Sequence, residues 1–184
     1  MEYKKTYKNL FDRDSRYNVH VEDKHRYDFV LNEIMSKGYN NMIDISSGRG
    51  FLLKYVREIK SEMVITSTDL MKFNDLDVNF IELDLTKVEQ YERVNGTYQM
   101  LSCLDVLEHV EEKYVDDILS FFASKADSFC FSIANHPDII NGIELHLIQK
   151  DMGWWNDKLN KYFTITNSFS VYGDRLFCYV LSRK

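Results

Sequence analysis

Residues 42–50, Met42-Ile-Asp44-Ile-Ser46-Ser-Gly48-Arg-Gly50, decide how this chain is to be read. Met42 to Ile45 is a short apolar run that ends in a turn of small residues. Such a run, bounded by turn residues, marks a buried strand. Directly after the turn, Phe51, Leu52, Tyr55, Val56 and Ile59 fall on one helical face. The stretch therefore reads strand, tight turn, helix. Gly48 and Gly50 can take a positive φ and, having no Cβ, let a ligand approach the backbone. The start of the helix adds N–H groups that no helical carbonyl can satisfy.

The same alternation extends outward. Before this unit, Tyr27, Val30, Leu31, Ile34 and Met35 stripe a helix that Gly38 closes. After it, strands are expected over Met63–Thr68, Val78–Leu83, Tyr98–Leu104 and Phe129–Ala134. A helix striped by Val115, Ile118, Leu119 and Phe122 precedes the last of these, and Asn135-His136-Pro137 stops it. Strands alternating with helices imply right-handed crossovers and a mainly parallel α/β sheet. The end of the chain departs from this pattern. Phe163, Ile165, Phe169 and Val171 alternate with polar residues, Gly173-Asp174 turns the chain, and Leu176–Leu181 is nearly all apolar. That is an antiparallel hairpin closing the sheet. A loop, 138–153, and a short helix carrying Trp155 and Leu159 join the fifth strand to the hairpin. The loop is a candidate substrate loop.

The chain has 184 residues, enough for one ordinary domain, and it shows no internal repeat or linker. Residues 1–22, with Tyr3, Tyr7 and Tyr17 among lysines and arginines, read as an N-terminal arm or lid. Residues 41–120 carry eight basic and sixteen acidic groups, a balance of −8, while the segments on either side carry +1 each. That acidic middle does not suit nonspecific binding to a phosphate backbone. No apolar stretch is long enough to span a bilayer, and the first eight residues lack the apolar core of a secretory signal. Cys103, Cys130 and Cys178 are far apart in apolar runs and read as buried reduced thiols. A cytoplasmic protein without a membrane partner is expected. Its oligomeric state is left open.

In open α/β sheets, ligands sit beyond the carboxyl ends of the strands. The second strand delivers Asp69 there, 19 residues after Gly50, where a carboxylate can accept from both ribose hydroxyls. A dinucleotide site would need a third glycine where Leu53 stands, and the G-K-[ST] of a P-loop is missing. A nucleoside cofactor without a pyrophosphate fits better.

Asp44-Ile-Ser-Ser-Gly-Arg-Gly50 resembles the D-x-G-x-G-x-G signature of class I S-adenosylmethionine-dependent methyltransferases, with Ser46 at the first glycine. Phe80-Ile-Glu-Leu-Asp84-Leu85 resembles that family's third-strand segment. Leu101-Ser-Cys-Leu-Asp105-Val-Leu-Glu108-His109-Val110 resembles its fourth-strand segment. The resemblance implies a Rossmann-like three-layer sandwich with a seven-stranded, mostly parallel sheet, and S-adenosyl-L-methionine as cofactor. It also implies roles. Asp44 would orient the glycine turn and the ammonium end of the cofactor. Ser46, Gly48 and Gly50 would line the methionyl moiety, Asp69 would bind the ribose diol, and Leu70 would pack on the adenine. Asp84 would accept from the adenine amino group, with Leu85 donating nearby. Cys103 and Leu104 would lie beside the methionyl group.

A hydroxyl acceptor needs a base, and His136 and His146 near the strand ends are the candidates. Trp154 could stack on a planar or sugar acceptor, and Arg26 and Tyr17 could reach the methionyl carboxylate. Asp105-x-x-Glu108-His109 with His146 also resembles the metal-binding set of small-RNA 2′-hydroxyl methyltransferases, although that family has Glu where Asp105 stands. The expected site holds no metal. So short a chain leaves little room for an inserted substrate domain, so a small-molecule or sugar-like hydroxyl is the expected acceptor. RNA is the alternative, to be favoured by a basic face built from the arm and the Lys150–Lys161 region. A non-catalytic cofactor- or partner-binding domain is the other alternative, and Ser46 is the feature that favours it.

Overall fold

Strand β1 (Asn41–Ile45) is buried along nearly its whole length, and its side chains alternate between two cores. Met42 packs with α2 (Asp28–Lys37) and α3 (Phe51–Ile59) through Ile34, Leu53 and Val56. Ile43 and Ile45 point the other way, into the core under α4 (Glu112–Lys125) and α5 (Met152–Leu159). Met100 and Leu101, and likewise Cys130 and Phe131, divide between the same two cores. This period of two, with apolar residues on both faces, places the sheet between two helical layers. The computed structural model describes residues 3–13 and 24–184.

The remaining strands of the sheet are β2 (Val64–Asp69), β3 (Asn79–Glu82), β4 (Tyr98–Leu104), β5 (Ala126–Ala134), β8 (Phe163–Val171) and β9 (Leu176–Arg183). Their order is β3-β2-β1-β4-β5-β9-β8. Strands β1 to β5 pair in parallel, whereas β9 runs antiparallel to both β5 and β8. The expected seven-stranded α/β sandwich with a C-terminal antiparallel hairpin is therefore the fold. Strand order reverses between β1 and β4, and that switch opens a crevice beyond their carboxyl ends. All three cysteines are buried and unpaired, as expected. Among the described residues no helix is long and apolar enough to cross a membrane.

Two segments differ from the sequence reading. The first, read as an irregular arm or lid, contains helix α1 (Tyr3–Arg13). Tyr3 and Leu10 are buried, and Tyr7 lies between them at helical spacing. The second, the loop 138–153, contains a two-stranded ribbon, β6 (Ile139–Ile140) and β7 (Ile143–Glu144). Its turn is Asn141-Gly142, with φ of 52° and 77°. Asn-Gly between apolar residues is a strong short-range hairpin signal.

Candidate functional site

The turn after β1 is held from the end of β2. Gly48 N donates to Asp69 Oδ2 at 2.8 Å, and Leu70 N donates to Asp69 Oδ1 at 2.7 Å. Ser47 N reaches the Thr68 carbonyl at 2.9 Å, and Ser46 N reaches Thr68 Oγ1 at 3.3 Å. Asp69, not Asp44, thus fixes the glycine turn, correcting that part of the role given to Asp44. Asp44 is only 4% exposed and accepts from Ser102 Oγ at 2.6 Å. Burial raises the pKa of Asp44 to about 7, helped by the Asp69 charge, and raises that of Asp69 to about 6. Two buried carboxylates facing one crevice suit a ligand that brings hydrogen-bond donors or positive charge.

Ser46 stands at φ 56°, in the left-handed region that glycine adopts freely, and Gly48 and Gly50 follow at 51° and 71°. The turn at Ser46 therefore has the backbone form a glycine would take, at a local conformational cost. Gly50 is needed for space as well. A Cβ there would lie 2.5 Å from Leu76 Cδ1 and 3.2 Å from Asn74 Cγ. The 70–78 connection packs on the turn, with Asn74 Nδ2 donating to the Gly48 carbonyl at 2.9 Å.

Two cavities open on this face. The smaller, about 140 Å³, is lined by Tyr3, Tyr7, Asp69, Leu70, Asp84 and Leu85 among others. Asp84 Oδ1 accepts from Thr86 N and Oγ1, which orients its carboxylate in that wall. The larger, about 620 Å³, runs past Asp44, Arg49 and Leu104 to His136, His146, Tyr172 and Arg175. Ser46, Gly48, Asp105 and His109 line both cavities and mark their junction. Of the expected cofactor residues, Cys103 lines neither cavity and Gly50 supports the turn from behind. Cys103 is wholly buried within the sheet.

Asp105 is held in a left-handed conformation at φ 55°. Ser132 Oγ donates to its Oδ1 at 2.6 Å, and Arg26 donates to its Oδ2. Arg26 lines the larger cavity, with its guanidinium on Asp105. Tyr17 lies outside the described residues. Next along the chain, Glu108 is fully buried, and its Oε1 accepts from Ala134 N at 2.8 Å. Its Oε2 is buried without a partner. Burial, and then the Asp105 charge, raise the Glu108 pKa well above the usual range.

Three imidazoles converge here. The His109 and His146 ring centroids are 4.6 Å apart, and those of His146 and His136 are 4.9 Å apart. Each Nδ1 faces a backbone carbonyl: that of Leu145 for His109, of His136 for His146, and of Pro137 for His136. A carbonyl can only accept, so Nδ1 carries the proton and Nε2 of a neutral ring keeps its lone pair. Burial, reinforced by His146, lowers the His109 pKa to about 4, so this ring is neutral at physiological pH. Glu108, His109 and His146 each bring one donor atom within 4.8 Å of the others. Asp105, the remaining member of the resemblance, is engaged by Arg26 and Ser132 instead.

The two other sequence candidates lie elsewhere. Trp154 packs on the core beside Trp155, with Lys158 over its ring, and lines neither cavity. In the Lys150–Lys161 region, Lys158 and Lys161 both turn to Asp116. Lys4 of the N-terminal segment pairs with Glu82.

No protein-family profile matches this chain, and no curated sequence does. Its fold does match solved structures. Magnesium protoporphyrin IX methyltransferase from Synechocystis PCC 6803, with bound S-adenosylhomocysteine, superposes with a TM-score of 0.70 over all of both chains at 16% identity. An O-methyltransferase family protein from Burkholderia thailandensis gives 0.68 at 14% identity; the match covers 96% of this chain and 62% of that protein. The methyltransferase domain of the bacterial protein CtHen1 gives 0.64 at 15% identity, covering 87% of this chain and 98% of that one. The architecture is thus the Rossmann-like fold of class I methyltransferases.

Proposed function

We propose that this protein is an S-adenosyl-L-methionine-dependent methyltransferase that methylates a hydroxyl group on a small, sugar-like acceptor. The observation that carries this reading is the junction of the two cavities. There a carboxylate-held glycine turn meets the neutral imidazole of His109, which is braced through Nδ1. When bound, the cofactor would supply an electrophilic methyl group on a sulfonium. The chain's own residues would do the rest. Asp69 would accept from the ribose diol while holding the turn, Leu70 and Leu85 would flank the adenine, and Asp84 would face its amino group. Asp44 and the carbonyls of the turn would face the positively charged end. His146 would take the acceptor proton at Nε2, with His136 holding its ring through the Nδ1 bond. The bound fold neighbour and the sequence resemblance both support the cofactor.

A second reading is favoured by one observation, the convergence of Glu108, His109 and His146. Both imidazoles are braced through Nδ1, as metal-ligating histidines usually are, and Glu108 Oε2 has no other partner. These residues fit a divalent cation, which would lower the pKa of the acceptor hydroxyl. That chemistry would serve the ribose hydroxyl of an RNA as well as that of a small sugar.

The test begins with calorimetric titration of the protein with S-adenosylmethionine and S-adenosylhomocysteine. Saturable binding supports the cofactor reading, and a well-folded protein that binds neither overturns it. Labelled methyl transfer to sugar, nucleoside and short RNA acceptors follows, with manganese, with magnesium and with EDTA. Activity that survives EDTA favours direct base catalysis. Activity restored only by the metal favours the second reading.

A further inference from the structure

Helix α1 touches the walls of both cavities. Lys4 Nζ binds Glu82 Oε1 at 2.7 Å, at the end of β3. Glu111 N donates to the Tyr3 hydroxyl at 3.2 Å, beyond the fourth strand. Leu10 packs with Ile140 and Leu145, on the ribbon and the segment that follows it. Between these anchors Tyr3 and Tyr7 line the smaller cavity, and the Tyr7 ring meets His109 edge-on at 5.8 Å.

Among the described residues the apolar seat of this helix is small. Leu10, Ile140 and Leu145 form a cluster separate from the two cores of the sheet. The Lys4–Glu82 pair is about half exposed on both sides, where an ion pair contributes little. Segments with few buried apolar contacts open at low free-energy cost, far below that of the sheet. Yet this helix, seated apart from the two cores, lies against the walls expected to flank adenine, and it also contacts the first ring of the histidine group.

We propose that α1 is a strap. It lifts to admit and release the adenosyl cofactor beneath Tyr3 and Tyr7, and on closing it sets Tyr7 against His109 as a positioning residue. The inference rests on the cofactor reading above. It implies an order of events: the cofactor enters before the acceptor site is complete, and S-adenosylhomocysteine leaves when the strap opens.

Two measurements on the full chain test it. In the first, labelled S-adenosylhomocysteine is chased with an excess of unlabelled compound. Leu10→Asp and Lys4→Glu are expected to speed its dissociation, roughly tenfold or more for Leu10→Asp, as expected for loss of a locally stable closed state. The second is hydrogen exchange without ligand. Leu10→Asp should raise exchange over residues 83–86 and 107–111 and leave β1, β4 and β5 protected, which also shows that the variant is folded. Unchanged dissociation and unchanged exchange in Leu10→Asp overturn the strap. If the wild-type chain binds no S-adenosylhomocysteine, the cofactor reading fails, and gating of that cofactor fails with it. For Tyr7, imidazole nitrogen resonances of His109 are expected to move in Tyr7→Ala and to return in Tyr7→Phe. Resonances unmoved by Tyr7→Ala remove the positioning role.

Discussion

The two halves of the crevice are built on opposite principles. On the side of β1 to β3 the carboxylates that face the crevice are each held by donors. Asp69 holds Gly48 and Leu70, Ser102 holds Asp44, and Thr86 holds Asp84. On the side of β4 and β5, three groups are braced at one atom only. His109 and His146 use Nδ1 on backbone carbonyls, and Glu108 keeps one buried oxygen without a partner. A satisfied framework suits a ligand that is always the same. Braced groups with free lone pairs suit the step in which a proton moves or a cation is held.

The widest separation between the halves should come from Asp69→Ala. This change removes the anchor of the glycine turn together with the proposed ribose acceptor. Cofactor affinity is expected to fall by roughly a hundredfold or more in calorimetry, since the loss combines a buried charged acceptor with two orphaned backbone donors. The converse change is Glu108→Gln. On the metal-assisted reading methyl transfer should drop by about a hundredfold, because an amide replaces a ligating carboxylate, while cofactor affinity stays within about threefold. A loss of cofactor binding in Glu108→Gln would break the division between the halves.

Gly50→Ala sharpens the comparison from the structural side. The added methyl meets Leu76 at 2.5 Å on a backbone at φ 71°. A destabilisation of about 1–3 kcal/mol is expected from overpacking and backbone strain together, read from urea midpoints.

The buried carboxylates also predict a pH dependence. The folded pKa of Asp44, about 7, lies above its ordinary value of 3.8. Between those values the folded protein holds a proton that the unfolded chain has released. That contribution is present at low pH and is lost as pH rises through about 7. His109 acts in the opposite sense, but its effect falls between its ordinary value of 6.5 and its folded value of about 4. From pH 6.5 to 8, therefore, the cofactor-free protein should lose stability, and Asp44→Asn should flatten the slope. Denaturation midpoints across that range check both.

The smallest effect is expected from Ser46→Gly. Relief of a left-handed serine should stabilise the protein by about 1 kcal/mol, raise its melting temperature by a few degrees and leave cofactor binding intact.

What the sequence determined by itself is the framework half. The run 42–50, the carboxylates at Asp69 and Asp84, and the closing hairpin were all legible. In each case the signal is local: a strand's apolar run, the small residues that follow it, and the carboxylate at its end share one short segment. The α1 stripe and the Asn141-Gly142 turn are local signals as well. Only the tertiary structure decided the other half. It passed the turn-holding role from Asp44 to Asp69, drew Arg26 onto Asp105, packed Trp154 against the core and tied Lys158 and Lys161 to Asp116. It also brought His109, on the loop after β4, against His146, 37 positions later. No spacing rule reports that approach, because it follows from the parallel pairing of β4 with β5 and from where the 138–153 segment folds back across their ends.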